Sequence, residues 1–289
     1  MLFHIHHTIT YRYSQTVVLQ PQIVRLRPRS DAMQTLHQFQ LQTQPEPFQV
    51  SELVELDGNT VLQLTFAQPT EQLTIQVAST VETHRTNPFN YQFEPWALHL
   101  PPNYPQELQM QLQPYLQPSP FAPDPSPAQL AQEIYQAVDG QTGPFLAALN
   151  QRLYQDCEQM IRATGEPWPA GLTWRQQRGS CRDLTVLYMA ACRSVGLAAR
   201  FVSGYQEGDP DQTERDLHAW PEGYVPGGGW RGFDPIQGLA VGDRHVVLAA
   251  SAQPRYAAPT PGGLIPLHGH QAAQSEIQAT IQLQVSPSP

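Results

Sequence analysis

Gly179-Ser180-Cys181-Arg182-Asp183-Leu184-Thr185-Val186-Leu187-Tyr188 opens the stretch that decides the fold. Leu184, Leu187, Tyr188, Ala191, Cys192 and Val195 recur at helical spacing, and Gly196 supplies a stop. The spacing predicts a helix that starts at the Gly179-Ser180-Cys181 turn, with Cys181 at its amino end. A thiol is a weak nucleophile until it ionises, and the free N–H groups at a helix amino terminus stabilise the thiolate. The small Gly179 and Ser180 leave room for a carbonyl to approach, and the Cys181 N–H is a natural oxyanion donor. Asp183, in the first turn, is expected to cap the helix or, with Arg182, to form a salt bridge. Trp174 is expected to pack against or line the cleft.

Working outward, a thiol nucleophile needs a base, and Asp216-Leu217-His218-Ala219-Trp220 offers a histidine at the head of a strand-like run. The imidazole in turn needs a group that fixes its tautomer, and Asp234 closes the next strand, Trp230-Arg231-Gly232-Phe233-Asp234. Pro226-Gly227-Gly228-Gly229 suits a hairpin that would set the two strands side by side. Read by themselves, these residues also have plainer uses: a small buried helix cysteine for Cys181, a turn residue for His218, and an Asp-Pro turn for Asp234.

Beyond the helix, strand-like runs cover residues 198–202, 219–225, 229–233 and 245–250, which makes the carboxy-terminal half α+β. Upstream, residues 126–138 and 145–162 have helical spacing. Residues 101–127 are crowded with proline, notably Pro118-Ser119-Pro120 and Pro123-Asp124-Pro125, and are expected to be an irregular linker. Residues 1–100 are strand-like: Thr8–Tyr13, Val61–Phe66 and Leu73–Val77 alternate apolar with polar, and Asp57-Gly58-Asn59 punctuates two runs. An antiparallel sheet or sandwich is expected there. Residues 277–285 alternate imperfectly and are expected to add one strand to the carboxy-terminal unit, residues 128–289.

Taken as a set and in order, Gly179-Ser180-Cys181-Arg182-Asp183, Arg200-Phe201-Val202-Ser203-Gly204-Tyr205, His218-Ala219-Trp220 and Gly232-Phe233-Asp234-Pro235 resemble the core motifs of the bacterial transglutaminase-like superfamily. Leu26-Arg27-Pro28-Arg29 and Asn87-Pro88-Phe89 resemble the β-rich region that precedes this core in many bacterial members, so the resemblance spans nearly the whole chain. It implies a β-rich amino-terminal domain followed by a papain-like α+β core, with Cys181 as nucleophile, His218 as general base and Asp234 as orienting acid. The implied chemistry is acyl hydrolysis or transfer on amide or peptide bonds through a thioester. Relatives with this core include peptidases, amidases and members of unknown activity, so Gln-Lys crosslinking and a non-catalytic protein-binding module stand as alternatives. Pro221 and Gly223 interrupt the strand after His218, and a bulge is expected beside it.

Composition sets the outer bounds. The 289 residues carry 16 Lys and Arg against 25 Asp and Glu, a formal charge of −9, which disfavours nucleic acid and anionic membrane as partners and favours a protein or peptide substrate. Three cysteines cannot pair completely, and with no apolar run long enough to span a bilayer and no signal-like start, a cytoplasmic protein is expected. Cys157 and Cys192 are expected to be structural. No cofactor or metal is expected: His4, His6 and His7 lack a carboxylate or cysteine neighbour, His268 and His270 suggest at most a weak surface contact, and Cys181 and His218 sit in no zinc motif.

Overall fold

The alternating run at the amino terminus becomes one long strand, β1 (Leu2–Val24), whose odd-numbered Phe3, Ile5, His7 and Ile9 are buried while His4 and His6 are exposed. The computed structural model describes residues 1–118, 124–162, 164–208, 215–267 and 272–288. The prolines at 120 and 123, and the histidines at 268 and 270 offered above as a surface metal contact, lie outside the described residues.

Four further strands follow: β2 (Gln34–Gln44), β3 (Gln49–Val54), β4 (Thr60–Thr65) and β5 (Thr70–Thr83). They form an antiparallel sheet in the order β2-β5-β1-β4-β3. The Asp57-Gly58-Asn59 turn joins β3 to β4 with Gly58 at φ +76°, a conformation that glycine adopts without cost. One face of the sheet buries Phe3, Ile5, Leu64, Leu73, Ile75 and Val81 against Tyr205, Val246 and Leu248 of the second half. Each such side chain contributes roughly 1.5–3 kcal/mol.

The region expected to be an irregular linker contains a helix, α1 (Gln106–Leu116). Between Pro105, at its N-cap position, and Pro114, in its last turn, the eight residues of sequence are proline-free and form a regular helix. Tyr115 of α1 packs edge-on against Trp230 at 4.9 Å and donates to Asp57 Oδ1 at 2.5 Å, so this segment ties both halves together.

Next come α2 (Ser126–Ala137), α3 (Thr142–Asp156), the short strand β6 (Glu158–Gln159), α4 (Ala170–Gln176), β7 (Arg178–Gly179) and α5 (Cys181–Ser194). Of these, α3 was expected to run to residue 162. It ends at Asp156 because Cys157 turns extended and β6 pairs in parallel with β7, which carries the chain to the start of α5. At the other end of α5, Gly196 adopts φ +75° and Leu197 N–H returns to Cys192 O, closing the helix as the sequence indicates.

The remaining strands are β8 (Ala199–Gln206), β9 (His218–Val225), β10 (Gly229–Asp234), β11 (Leu239–Ala240), β12 (His245–Ser251), β13 (Gly262–Pro266) and β14 (Ser275–Ser286). Five of them form an antiparallel sheet, β11-β10-β9-β8-β12, on which α5 lays Leu184, Leu187, Tyr188, Ala191 and Cys192 against Ala199, Phe201, Ala219, Phe233 and Ala249. Contrary to expectation, β9 pairs with β8 in unbroken register from His218 to Gly223. Its pairing with β10 stops at Glu222, beside Pro221, which has no N–H to offer.

The irregularity lies instead between Val247 and Ala249 of β12. There two buried amides of the first half take up backbone groups: Gln34 bonds both N–H and C=O of Val247, and Asn59 bonds both N–H and C=O of Ala250. The last strand also departs from the expected assignment. β14 does not extend the second sheet; it pairs with β1 from Leu2↔Ser286 to Tyr13↔Ser275, filling the edge of β1 that β5 leaves open. The carboxy terminus is therefore part of the amino-terminal sheet. Among the described residues, no helix is long and apolar enough to cross a membrane.

Candidate active site

Cys181 is the first residue of α5, as its sequence predicts, and the local reason is a reciprocal cap. Asp183 accepts from the Ser180 N–H at 2.8 Å and the Ser180 hydroxyl at 2.7 Å. The same fully buried carboxylate takes the Trp168 N–H at 2.7 Å and Arg162 at 2.7 and 2.8 Å. Burial alone would raise the pKa of Asp183; these donors outweigh it and hold the group below its ordinary range. Asp183 thus serves both expected roles, cap and salt bridge, although its cation is Arg162. Arg182 instead donates to the carbonyls of Gly165 and Arg162.

The small size of Gly179 also serves the cap. A Cβ there would stand 2.8 Å from Asp183 Cβ and 3.1 Å from Thr173 Cγ2, so its smallness admits the cap. Cys181 is half-buried, and its N–H, at the first helical position, has no intrahelical acceptor. Trp174, on α4, packs against the same core with the Arg152 guanidinium 5.6 Å from its ring, in keeping with the expected packing role.

The β9–β10 hairpin brings His218 and Asp234 together. His218 Nε2 donates to Asp234 Oδ2 at 2.8 Å, and the Cys181 side chain is near enough to the ring to influence its titration. Burial favours the neutral imidazole, yet Asp234 and Cys181 together overcome it and push the pKa of His218 up to about 10. Asp234 has no exposed surface. Burial opposes its charge, but His218 and a second histidine hold its pKa well below the usual carboxylate range. Its Oδ1 accepts the N–H groups of Ile236 at 2.9 Å and Gln237 at 3.3 Å, which uses the Asp-Pro turn to fix the carboxylate's rotamer.

The second histidine, His245, was read in the sequence only as the start of a strand. Its Nε2 lies 3.1 Å from Asp234 Oδ2, and it is buried at the head of β12. The available signal was a lone polar residue opening the apolar run Val246–Ala250, which does not identify a partner on another strand. His218, Asp234 and His245 are also, among the described residues, a group whose ligand atoms come within 4.8 Å of one another, close enough to consider for a metal. The floor beneath them is the fully buried Trp220, fitted between Gly204 and Gly232, where added Cβ atoms would meet its ring at 2.5 and 3.1 Å.

The other candidates fall elsewhere. His7 is buried, and its Nδ1 meets the Tyr205 hydroxyl at 3.0 Å, joining β1 to β8; burial pushes its pKa down to about 4. Cys157 and Cys192 are buried thiols, the first raised to about 11 and the second further still, both chiefly by burial. A cavity of about 410 Å³ is lined by Leu184, one turn beyond Cys181, by Pro235 and Ile236, which follow Asp234, and by Tyr154, Cys157 and Gln159.

Comparison with known proteins agrees with this geometry. Uncharacterised proteins of Mycobacterium tuberculosis (Rv2569c) and Mycobacterium leprae (ML0607) are each 25% identical, over 266 and 268 residues. These alignments cover 85% and 89% of this chain, and 82% and 90% of the two relatives. The solved structure of a proposed cysteine protease from Cytophaga hutchinsonii superposes with a TM-score of 0.73 at 21% identity, covering 100% of this chain and 92% of that one, so the fold is shared end to end. Residues 3–82 match the bacterial transglutaminase-like N-terminal region, and residues 128–235, which hold Cys181, His218 and Asp234, match the transglutaminase-like superfamily core. The chain thus belongs to the transglutaminase-like superfamily, in the form that carries the bacterial N-terminal region ahead of a cysteine-based catalytic fold.

Proposed function

We propose that this protein is a cysteine-dependent acyl hydrolase acting on amide or peptide bonds. The observation that carries the reading is His218 held between Asp234 Oδ2 at 2.8 Å and the Cys181 thiol at the start of α5. Paired with Asp234, the His218 ring takes up the Cys181 proton and leaves the sulfur nucleophilic. The Cys181 sulfur attacks the substrate carbonyl carbon, and the oxygen gains negative charge beside the Cys181 N–H. His218 then gives its proton to the leaving nitrogen, the carbon-nitrogen bond breaks, and a thioester remains. A water molecule, deprotonated by His218, attacks the thioester carbon; the carbon-sulfur bond breaks, releasing the carboxylic acid and returning the Cys181 sulfur and the His218 proton to their starting places. Asp234 keeps the ring oriented throughout and stabilises it whenever it carries the transferred proton.

Water, which can reach the half-exposed Cys181, is the acceptor assigned here by default. The cavity beside Leu184 and Pro235 is a suitable place for the acyl side chain. A screen of peptide and amide hydrolysis, run with wild type and Cys181→Ala in parallel, tests the reading. Turnover of at least one class that disappears in C181A is expected. Equal rates for the two proteins on every substrate hydrolysed would reject it.

A further inference from the structure

We propose that His245 is a positioning residue of the thiol site: as a neutral ring protonated on Nε2, it donates a second hydrogen bond to Asp234 and locks the carboxylate that orients His218. The inference rests on the acyl-hydrolase reading and goes beyond it by assigning a fourth residue to the machinery.

Both oxygens of Asp234 are already engaged, Oδ1 by two backbone N–H groups and Oδ2 by His218. His245 Nε2 reaches the same Oδ2 from the opposite strand of the sheet, 3.1 Å away. A carboxylate oxygen can only accept, so the bond requires the proton on Nε2. The rest of the ring's surroundings favour the neutral form. Nδ1 is buried without a hydrogen-bond partner, the edge-on Trp220 ring lies 5.1 Å away, and the His218 ring stands 6.3 Å away. An orphaned lone pair at Nδ1 costs less than an orphaned N–H bearing a share of positive charge beside a charged His218.

The charged groups acting on the ring are Asp234, His218 and Asp243, and burial outweighs the two carboxylates, leaving its pKa below the ordinary histidine value. Two neighbouring histidines thus divide the work: one carries the proton that is transferred, and the other stays uncharged and fixes the acid between them. Without the second donor, Asp234 Oδ2 would be held by His218 alone, and the carboxylate's placement would rest on the Oδ1 bonds to Ile236 and Gln237.

Two measurements test this on the intact protein. Nitrogen NMR of histidine-labelled wild type at pH 7.5 should find His245 as the neutral Nε2–H tautomer while His218 is charged. The alkylation rate of Cys181 by iodoacetamide at pH 7 should fall about tenfold in His245→Phe, which keeps the ring's shape, and stay within about twofold of wild type in His245→Gln, whose amide N–H reaches the same place. An Nδ1–H or charged His245, a Phe variant that labels like wild type, or Phe and Gln variants slowed equally would each overturn the proposal. So would stoichiometric zinc recovered with wild type and lost from H245F, which would make the ring a ligand. If wild-type Cys181 itself labels no faster than free cysteine, the underlying thiol reading fails and the proposal falls with it; fast wild-type labelling that His245 substitutions leave unchanged removes only the proposal.

Discussion

Replacing Asp234 with Asn changes one oxygen to an NH2 group and leaves the side chain's shape intact. Asn can satisfy only one pair of donors. With its oxygen toward Ile236 and Gln237 N–H, its NH2 points at His218 and His245 Nε2, both of which are donors in the wild type. His218 must then move its proton to the Cys181 side, the tautomer that cannot accept a proton from the thiol. The charge is lost as well. Burial, the largest influence on His218, lowers its pKa, and Asp234 is the main influence raising it. Without the carboxylate only Cys181 opposes burial, so the ring's value falls and fewer of the rings are charged at pH 7.

The combined effect on hydrolysis is expected to be a loss on the order of 10³–10⁴ in kcat, by analogy with the same change in serine protease triads. Iodoacetamide labelling of Cys181 should slow at least about tenfold. Folding should lose roughly 1.5–3 kcal/mol, the worth of hydrogen bonds to a charged group, which lowers the melting temperature by several degrees while leaving the fold intact. Steady-state hydrolysis, alkylation with peptide mapping and thermal melting read these effects separately. A D234N protein that labels and turns over within about threefold of wild type would refute the role given to Asp234.

Other perturbations have equally definite outcomes. Asp183→Ala strands the Ser180 and Trp168 N–H groups and leaves the mostly buried Arg162 without its partner, so urea unfolding should show a loss of about 3–5 kcal/mol. His7, with a folded pKa of about 4 against an ordinary 6.5, binds a proton in the unfolded chain before it does in the folded one. Stability should therefore fall as pH drops from 6.5 to 4, by up to about 3 kcal/mol, and His7→Gln should flatten that part of the urea-midpoint profile. His218 has the opposite sign: its pairing with Asp234 stabilises below about 6.5 and is lost as pH rises through about 10, so hydrolysis should decline along the same alkaline limb as the leaving nitrogen loses its proton donor.

Local signals in the sequence carried the parts of this site that depend on local structure. Ser180 and Asp183 stand at capping-box spacing, so the start of α5 and the placement of Cys181 follow from the residues themselves. His218 and Asp234 head and close two strands joined by a glycine-rich turn, and the hairpin makes them neighbours. His245 was not legible in this way, because its partner lies across the sheet and a lone histidine ahead of Val246 names no acceptor. The same limit hid the pairing of β14 with β1: an alternating strand shows which face is buried, not which edge it joins. Proline content overstated the irregularity of residues 101–127, where the short proline-free run from Gln106 is enough for a helix whose Tyr115 is fixed by Trp230 and Asp57.

The central claim is that Cys181 is an activated nucleophile, and its alkylation by iodoacetamide at pH 6, followed on the native chain by peptide mapping against free cysteine under the same conditions, tests it most directly. At that pH an ordinary thiol is almost entirely protonated and reacts slowly. Cys181 is expected to react at least about tenfold faster than free cysteine, to slow in His218→Ala, and to be modified well before Cys157 and Cys192. A Cys181 that reacts no faster than free cysteine, with a rate indifferent to His218, would contradict the account.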